Sequence, residues 1–344
     1  MAGTSVAAVG DLLEGVVAAC AHEGDMDDDS TRLHVICERD VGLFSLVQQV
    51  VANIPWALAD GRIPVAYFGP KTCYWTPNGY RGKDTVWEYY FEPVVASYPA
   101  AMIPERVRST LALEHPSPWE VGYLVDEHTF ASSHYGDHPQ LRGRALPIPY
   151  QWHDPEDQLR RQAKVIIDRF IRPRSYILGK ADDFFARHLA GYPLIGVHAR
   201  GTDATSTSEP RPFRQGSLVL SRYVAEVERL LESRPEARIV VASDEQSTLD
   251  HLTWPFGDRV VAYDSIRHQG GEAAGQGPTG WIMPAYIAGD RDRAARNGED
   301  AIVEYLLLSR CDHLVHNGSS LARTVLLNAP GLPHTNTHTR RPRP

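Results

Sequence analysis

"LIGVHARGTDATSTSE", running from Leu194 to Glu209, opens as a short apolar run and breaks abruptly into His198, Arg200, Gly201, Thr202 and Asp203. An apolar run of this length, closed by polar groups, reads as a buried strand that delivers side chains at its carboxyl end. The pattern recurs outward from it. Upstream, "QLRRQAKVIIDRF" (Gln158 to Phe170) has the apolar spacing of a helix and leads through "ADDFFARHLAG" into this strand. Downstream come the helix "SRYVAEVERLLES", the strand "ARIVVAS", the helix "EQSTLDHL" and the strand "DRVVAY". A Gly-rich loop from Gln269 to Gly280 precedes the helix "EDAIVEYLLLS", the strand "DHLVHN" and the helix "SSLARTVLLN". Alternating βα units predict a parallel, doubly wound sheet with its ligand at the carboxyl ends of the strands.

The first half has a similar opening. After the acidic spacer "EGDMDDDSTR" come the strand "LHVICE", the turn "RDVGLFS", the helical "LVQQVVANIPWALADG" and the strand "IPVAYFG", a unit of Rossmann-like spacing. From Lys71 to about Pro149, aromatics, Pro and Gly dominate and periodicity is weak, so this region reads as loops and short helices. The 344 residues fit two domains of roughly 150 residues each. The expected fold is α/β, with two Rossmann-like domains facing across a cleft. Its parts are an N-terminal helix and spacer (1–30), a first Rossmann-like domain (31–157), a connecting helix (158–178), a second Rossmann-like domain (179–334) and a disordered tail (335–344).

A net charge of -8 argues against a nucleic-acid or anionic-membrane binder, which needs a positive field. Cys20, Cys37, Cys73 and Cys311 lie far apart without CxxC or zinc-finger spacing, so neither a metal framework nor a disulfide scaffold is indicated. The N-terminal "VAAVGDLLEGVVAACA" lacks a basic n-region and carries Asp11 and Glu14, and it reads as an amphipathic helix rather than a signal peptide. No stretch approaches the ~20 apolar residues of a membrane span, and a cytoplasmic setting is expected.

Three clusters follow strands of the second half: "HARGTD" (His198 to Asp203), "ASDE" (Ala242 to Glu245) and "HNGSSLAR" (His316 to Arg323). Arg200 offers a planar fork for phosphate oxygens beside a Gly201 that lets backbone approach closely. Gly318, Ser319 and Ser320 open a helix whose first-turn N–H groups form an anion site. One Arg and one helix N-terminus together suggest a phosphate or diphosphate, while Asp244 and Glu245 suit ribose hydroxyls or base N–H groups, or steady Arg200. Each cluster also has an ordinary reading. Gly318 with two Ser suits a plain loop and cap, His198 a hydrogen-bonded core histidine, Asp203 a turn residue, and "SDE" an N-cap. Their joint placement carries the argument. Neither GxxxxGK[ST] nor GxSxG is present, and "RDVGLFS" has one Gly where the dinucleotide fingerprint wants three, which disfavours an ATPase, an α/β-hydrolase and a nicotinamide enzyme; without a DxD pair of the kind that holds a metal–nucleotide complex, metal-independent chemistry is expected.

"IGVHARGTD", "VVASDE" and "EDAIVEYLLLSRCDHLVHNGSSLARTV" resemble the three donor-site motifs of the α-1,6-fucosyltransferase and protein O-fucosyltransferase superfamily, which includes bacterial nodulation-factor fucosyltransferases. "GLFSLVQQVV" and "VWEYYFEP" are also similar to that group, so five motifs fall in order over most of residues 32 to 333. The resemblance implies a GT-B-like fold and a glycosyltransferase using GDP-fucose, inverting, without metal or other cofactor, with the first domain (31–157) on the acceptor side and the second (179–334) on the donor side. It places His198 and Glu304 against guanine or its ribose and Arg200 on the diphosphate, aided by Ser319 and Ser320. Asp203, Asp244 and Glu245 would line the donor site, and the backbone from Gly42 to Phe44 would close on it. Glu209 stands one position from where some members carry a Glu, and is the candidate general base; a solvated loop carboxylate beside Pro210 is the alternative. Gly201 and Ala204 stand where α-1,6-fucosyltransferases carry Arg and Lys, and Leu321 replaces a polar residue. Either the donor sugar differs or another basic residue, such as Arg211 or Arg214, holds the diphosphate. A non-catalytic GDP- or glycan-binding module is the competing class. The aromatic segment "CYWTPNGYRGKDTVWEYYFEP" offers Trp75, Tyr80, Trp87 and Tyr89 as flat faces for a carbohydrate or small-metabolite acceptor, while core packing, as for Trp87, Tyr90 and Phe91, is expected of at least half of these aromatics.

Overall fold

The computed structural model describes residues 31–134, 141, 143–149, 153–201, 219–270, 274–276, 282–284, 287 and 289–338. The chain divides into two compact units, Met1–Tyr150 with Pro155–Arg172 and Gln151–Asp154 with Pro173–Pro344.

The first unit is built on a four-stranded sheet. Its elements are β1 (Leu33–Cys37), α1 (Leu43–Ala59), β2 (Ile63–Tyr67), α2 (Val86–Tyr90), α3 (Glu105–Leu113), β3 (Tyr123–Leu124), β4 (Thr129–Ser132) and α4 (Asp157–Phe170). The strand order is β2-β1-β4-β3, with β1 parallel to both neighbours and β3 antiparallel at the edge. Alternation along β1 sends Leu33, Val35 and Cys37 to one face, where they pack with Val65, Ala131, Ile103, Val107 and Leu111. Each such aliphatic side chain contributes about 1.5–3 kcal/mol by leaving water. His34 faces the other way and stands edge-on to Trp56 of α1, with ring centroids 4.6 Å apart. Burial lowers its pKa to about 3, so it is a neutral aromatic of the core.

β3 and β4 correct the expectation of loops and short helices between Lys71 and Pro149. "TFAS" carries no alternation of its own; it is a strand because Thr129–Ser132 pair along β1 from Leu33 to Ile36. The connecting helix expected over 158–178 is likewise two helices, α4 and α5 (Ser175–His188). They part at Ile171–Arg174, where Pro173 has no N–H to continue a helical ladder.

The second unit continues through β5 (Leu194–His198), α6 (Leu220–Ser233), β6 (Arg238–Ala242), α7 (Gln246–Phe256), β7 (Val260–Val261), β8 (Ala274–Gln276), β9 (Ile282–Pro284), α8 (Arg291–Leu308), β10 (His313–His316), α9 (Ser320–Asn328) and β11 (His334–Asn336). Its main sheet has the order β11-β10-β5-β6-β7 and is parallel throughout. Ile195, Val197, Ile239, Val241 and Val315 line one face against Tyr223, Val227 and Leu230 of α6 and Leu252 of α7. On the other face a Cβ at Gly196 would come within 3.0 Å of Cys311 Sγ and Leu308 Cδ2, so glycine is what lets the end of α8 lie against β5.

β8, in the Gly-rich loop, and β9, just after it, pair antiparallel. β11 corrects the expected tail: residues 335 and 336 are a paired edge strand, with His316 registered to Asn336. From β5 the chain runs to β6 and β7 on one side, then returns to place β10 on the other. β5 and β10 therefore form the topological switch point at which open α/β sheets bind ligands.

Candidate functional site

His198 ends β5, and Ser319 follows β10 as the N-cap of α9. The Ser319 Oγ accepts from Ala322 N at 3.2 Å and lies 3.0 Å from His198 Nδ1, so one hydroxyl ties the helix start to the neighbouring strand. Burial, and then the charge of Arg200, lower the His198 pKa to about 3, so this ring is neutral. The Arg200 carbonyl accepts from Asn317 Nδ2 at 3.4 Å. Gly201 N donates to Asp244 Oδ1 at 2.7 Å, and the Asp244 carbonyl accepts from His268 N at 2.9 Å. Three strand ends and the loop after β7 are thus bound to one another at the switch point.

Gly201 is a site of close approach. A Cβ there runs into Glu245 Oε2 and comes within 3.1 Å of Thr248 Oγ1. The Glu245 carboxylate occupies the space a larger residue would need, and it accepts from Thr248 Oγ1 at 3.3 Å. Glu245 also stands at the N-cap position of α7, without a side-chain cap bond.

The loop after β7 adds residues the sequence reading passed over. Arg267 is buried; its Nη2 donates to the Tyr263 carbonyl at 2.6 Å and lies 3.5 Å from Glu304 Oε1 of α8. Ser265 Oγ bonds the same carboxylate oxygen. Burial raises the Glu304 pKa to about 7, against the opposing pull of Arg267 and Ser265. One turn earlier, burial raises Asp300 to about 6, and Asp300 Oδ2 accepts from Ile266 N at 3.2 Å. These carboxylates are acceptors for N–H groups, held at the edge of ionisation.

Arg323 is the other residue missed. It is 1% exposed, and its Nη2 donates to Ser320 Oγ at 3.2 Å. The signal available was an arginine four residues after the cap inside an apolar helix, where an outward-facing charge would be ordinary.

Of the expected donor residues, His198, Arg200, Asp244, Glu245, Ser319 and Ser320 come together at the three strand ends, and Glu304 lies on α8 beside the loop after β7. Asp203 and Glu209, with Ala204, Arg211 and Arg214, lie outside the described residues. In the first unit Gly42 is the exposed N-cap of α1 and Phe44 is buried. The Leu43 N–H donates to the Tyr74 hydroxyl at 3.1 Å.

Two acceptor candidates are corrected. Trp87 is 1% and Tyr89 0% exposed. Trp87 stacks on Phe91 at 4.4 Å and donates to the Glu92 carbonyl, while the Tyr89 hydroxyl accepts from Thr76 N. Both rings face core on all sides, because α2 is embedded along its whole length. Trp75 and Tyr80 are partly exposed, with Arg81 over the Tyr80 ring at 5.6 Å.

Asp154, His316 and His334 bring three potential metal-ligand atoms together. Gly318 N donates to His316 Nδ1 at 3.0 Å, which leaves the ring proton on Nε2, 3.1 Å from His334 Nδ1. The lone pair a metal would take from Nε2 is therefore committed to a proton, and the cluster reads as a hydrogen-bonded chain behind the Gly318 turn. No described helix is long and apolar enough to cross a membrane.

The arrangement pairs an arginine and a helix N-terminus, which suit phosphate oxygens, with buried carboxylates, which suit the N–H groups of a base. No protein-family model matches the sequence. Nodulation protein Z of Sinorhizobium fredii (strain NBRC 101917 / NGR234) is 24% identical over 165 residues, 46% of this chain and 47% of the relative. The match thus spans about half of that relative's length. A crystal structure of NodZ α-1,6-fucosyltransferase soaked with GDP-fucose superposes with a TM-score of 0.54 at 18% identity, covering 87% of this chain and 93% of that one. POFUT1 in complex with GDP-fucose gives a TM-score of 0.53 at 14% identity, covering 91% and 99%. This chain is similar to these fucosyltransferases and shares their GT-B fold, with its arginine, its helix N-terminus and its buried carboxylates gathered in the second unit.

Proposed function

We propose that this chain is a glycosyltransferase that moves a sugar from GDP-fucose to an acceptor hydroxyl, with inversion and without a metal. The observation that carries the reading is that the segment bearing Arg200 is bonded to the one that opens α9, at the switch point of a fold shared with NodZ and POFUT1. In the reaction, the acceptor oxygen forms a bond to the anomeric carbon while the bond from that carbon to the diphosphate oxygen breaks, leaving its electron pair on GDP. Negative charge grows on the departing diphosphate. A preorganised guanidinium and first-turn N–H groups stabilise that charge without reorganisation and take the part a metal plays elsewhere. Asp203 belongs to the donor loop in this reading, and Glu209 removes the acceptor proton. Glu304, steadied by Arg267 and Ser265, accepts from the guanine N–H groups. Trp75 and Tyr80 supply ring faces for a carbohydrate or small-metabolite acceptor. The setting we propose is cytoplasmic.

A second donor is favoured by one observation. Position 201 is Gly where α-1,6-fucosyltransferases carry Arg, and a side chain there would have to displace the Glu245 carboxylate, so another nucleotide sugar is the alternative. A thermal-shift titration with GDP, GDP-fucose, GDP-mannose, UDP-N-acetylglucosamine and NAD, with and without EDTA, separates the readings. A ligand at ~100 times its Kd stabilises by about 2.7 kcal/mol, an easily measured shift. Stabilisation by GDP and GDP-fucose that EDTA leaves unchanged supports the proposal. A response to UDP-N-acetylglucosamine alone favours the other donor, and binding without product in any acceptor assay favours a non-catalytic module.

A further inference from the structure

We propose that the first unit holds a subsite for a pyranose-containing oligosaccharide at the carboxyl ends of β1 and β4, with Trp119 as its stacking face and Glu38 as the residue that positions it. The inference rests on the glycosyltransferase reading above and names the acceptor class and two residues that serve it.

The first sheet has a switch point of its own. From β1 the chain runs to β2 on one side and later places β4 on the other, and β1 is parallel to both. Ligands of open α/β sheets sit outside the carboxyl ends of such strands. Here those ends lead into Glu38, into residues 68–71 and into Ser133 and His134.

Glu38 is buried, and each of its carboxylate oxygens faces a different loop. Oε1 accepts from the Lys71 N–H at 3.2 Å. Two turns then carry the chain to Trp75: the Thr72 N–H donates to the Gly69 carbonyl and the Trp75 N–H to the Thr72 carbonyl, each at 3.3 Å. Oε2 lies 3.4 Å from His115 Nε2, an ion pair when the ring is protonated. His115 Nδ1 is 3.0 Å from the Pro116 carbonyl, which only accepts, so Nδ1 carries a proton and Nε2 is the nitrogen turned to the carboxylate.

His115 opens the segment "HPSPW", residues 115–119, which is braced against the end of β4. Ser133 Oγ donates to the Pro116 carbonyl at 2.7 Å, and His134 Nδ1 lies 3.2 Å from the Pro118 carbonyl. The Trp119 N–H donates to Ser117 Oγ at 3.2 Å, and the prolines on either side of Ser117 fix their own φ. At the end of this braced segment the Trp119 side chain is 74% exposed. An indole held in water on a restricted backbone is a preorganised face, because little freedom is lost when a ligand stacks on it.

The ligand class follows from the groups gathered there. A flat aromatic face among hydroxyl, carboxylate and imidazole groups suits a pyranose, which offers C–H bonds for stacking and hydroxyls at its rim. Trp75, partly exposed, and Trp119 are tied to one carboxylate from two separate loops, which suits a ligand of more than one ring.

The test is saturation-transfer difference NMR of the full chain with cellotetraose, chitotetraose, maltotetraose and mannotetraose at millimolar concentration, with calorimetric titration of GDP on the same preparations. The parent is expected to bind at least one of these sugars. Trp119→Ala weakens that binding about tenfold, the scale of losing one stacked ring, and Trp119→Phe recovers part of the loss. Glu38→Ala weakens it by a similar factor, and Glu38→Gln, which keeps an acceptor for the Lys71 N–H, gives an intermediate affinity. GDP affinity stays at the parent value in every variant. A parent that binds none of the sugars, parent-like sugar affinity in Trp119→Ala, or an equal loss of GDP affinity in that variant overturns the proposal. Parent-like sugar affinity in Glu38→Ala overturns the positioning role of Glu38. If circular dichroism shows Glu38→Ala unfolded, Glu38→Gln decides that role: an intermediate sugar affinity supports it and a parent-like one overturns it. A parent that binds sugar but no guanine nucleotide refutes the nucleotide-sugar reading and leaves the subsite standing.

Discussion

Ser319 Oγ lies 3.0 Å from His198 Nδ1 although the two residues are 121 apart in the chain: His198 ends β5, and Ser319 follows β10, the parallel strand beside it. The bond closes the switch point of the second unit. It makes the start of α9, the capping of that helix and the orientation of a neutral histidine one cooperative feature.

Ser319→Ala removes the cap acceptor and the partner of His198 together. The expected loss is about 1 kcal/mol for the cap alone, with a further decrement for the buried ring nitrogen left unmatched. Urea unfolding with an unchanged m-value measures it; stability equal to the parent would show that another group caps α9.

Arg200→Ala is expected to lower turnover by ~100-fold or more, the scale of removing one charge-stabilising donor from a transition state. Steady-state kinetics with GDP-fucose check it. Turnover within a few-fold of the parent would remove Arg200 from the mechanism.

Gly201→Ala is expected to destabilise the protein and weaken GDP binding, because its Cβ meets the carboxylate of the half-buried Glu245 and comes close to Thr248 Oγ1, both of which must shift. Overpacking of this kind costs about 1–3 kcal/mol. Adding Glu245→Ala opens the space, so the double variant should regain stability relative to Gly201→Ala. Additive losses in thermal unfolding would contradict the geometry.

Glu304 makes stability depend on pH in a definite direction. Its folded-state pKa is raised to about 7, whereas an unfolded glutamate titrates near about 4.3. Folding therefore takes up a proton between these values, and the stability from that uptake is full at the acid end and lost as pH rises through about 7. Asp300, raised to about 6, acts in the same direction. The Tm of the ligand-free protein should fall between pH 5 and pH 8 by less in Glu304→Gln than in the parent, with the approximate window set by the two pKa values. Stabilisation by GDP should grow over the same range, since the ionised carboxylate is the better acceptor for guanine N–H groups.

Trp87 and Tyr80 should separate in their effects. Trp87→Ala is expected to cost about 3–5 kcal/mol, as for a fully buried aromatic, whereas Tyr80→Ala should leave folding nearly intact and raise the acceptor KM. Equal stability of the two variants would argue against the burial of Trp87.

The strands β1, β2, β5, β6 and β10, the helices between them and the polar clusters at the ends of β5, β6 and β10 were legible in the sequence. Each depends on a local pattern: apolar runs broken by turn residues, helical spacing, and a serine before an apolar helix. Strand β4 was not, since "TFAS" becomes a strand only by pairing with β1, and β11 joins its sheet for the same reason. Whether Trp87 and Tyr89 presented faces or packed a core was open in the sequence, because an aromatic serves either purpose and the segments that enclose it are remote. The same holds for Arg323, whose guanidinium reaches Ser320 by folding back along its own helix, and for Gly201, whose lack of a side chain matters only because Glu245 arrives from another strand. The sequence by itself determined which backbone segments alternate and where polar groups interrupt them, because periodicity is set by local geometry. Tertiary structure alone decided which charges are buried together, since that depends on chain segments that meet only on folding.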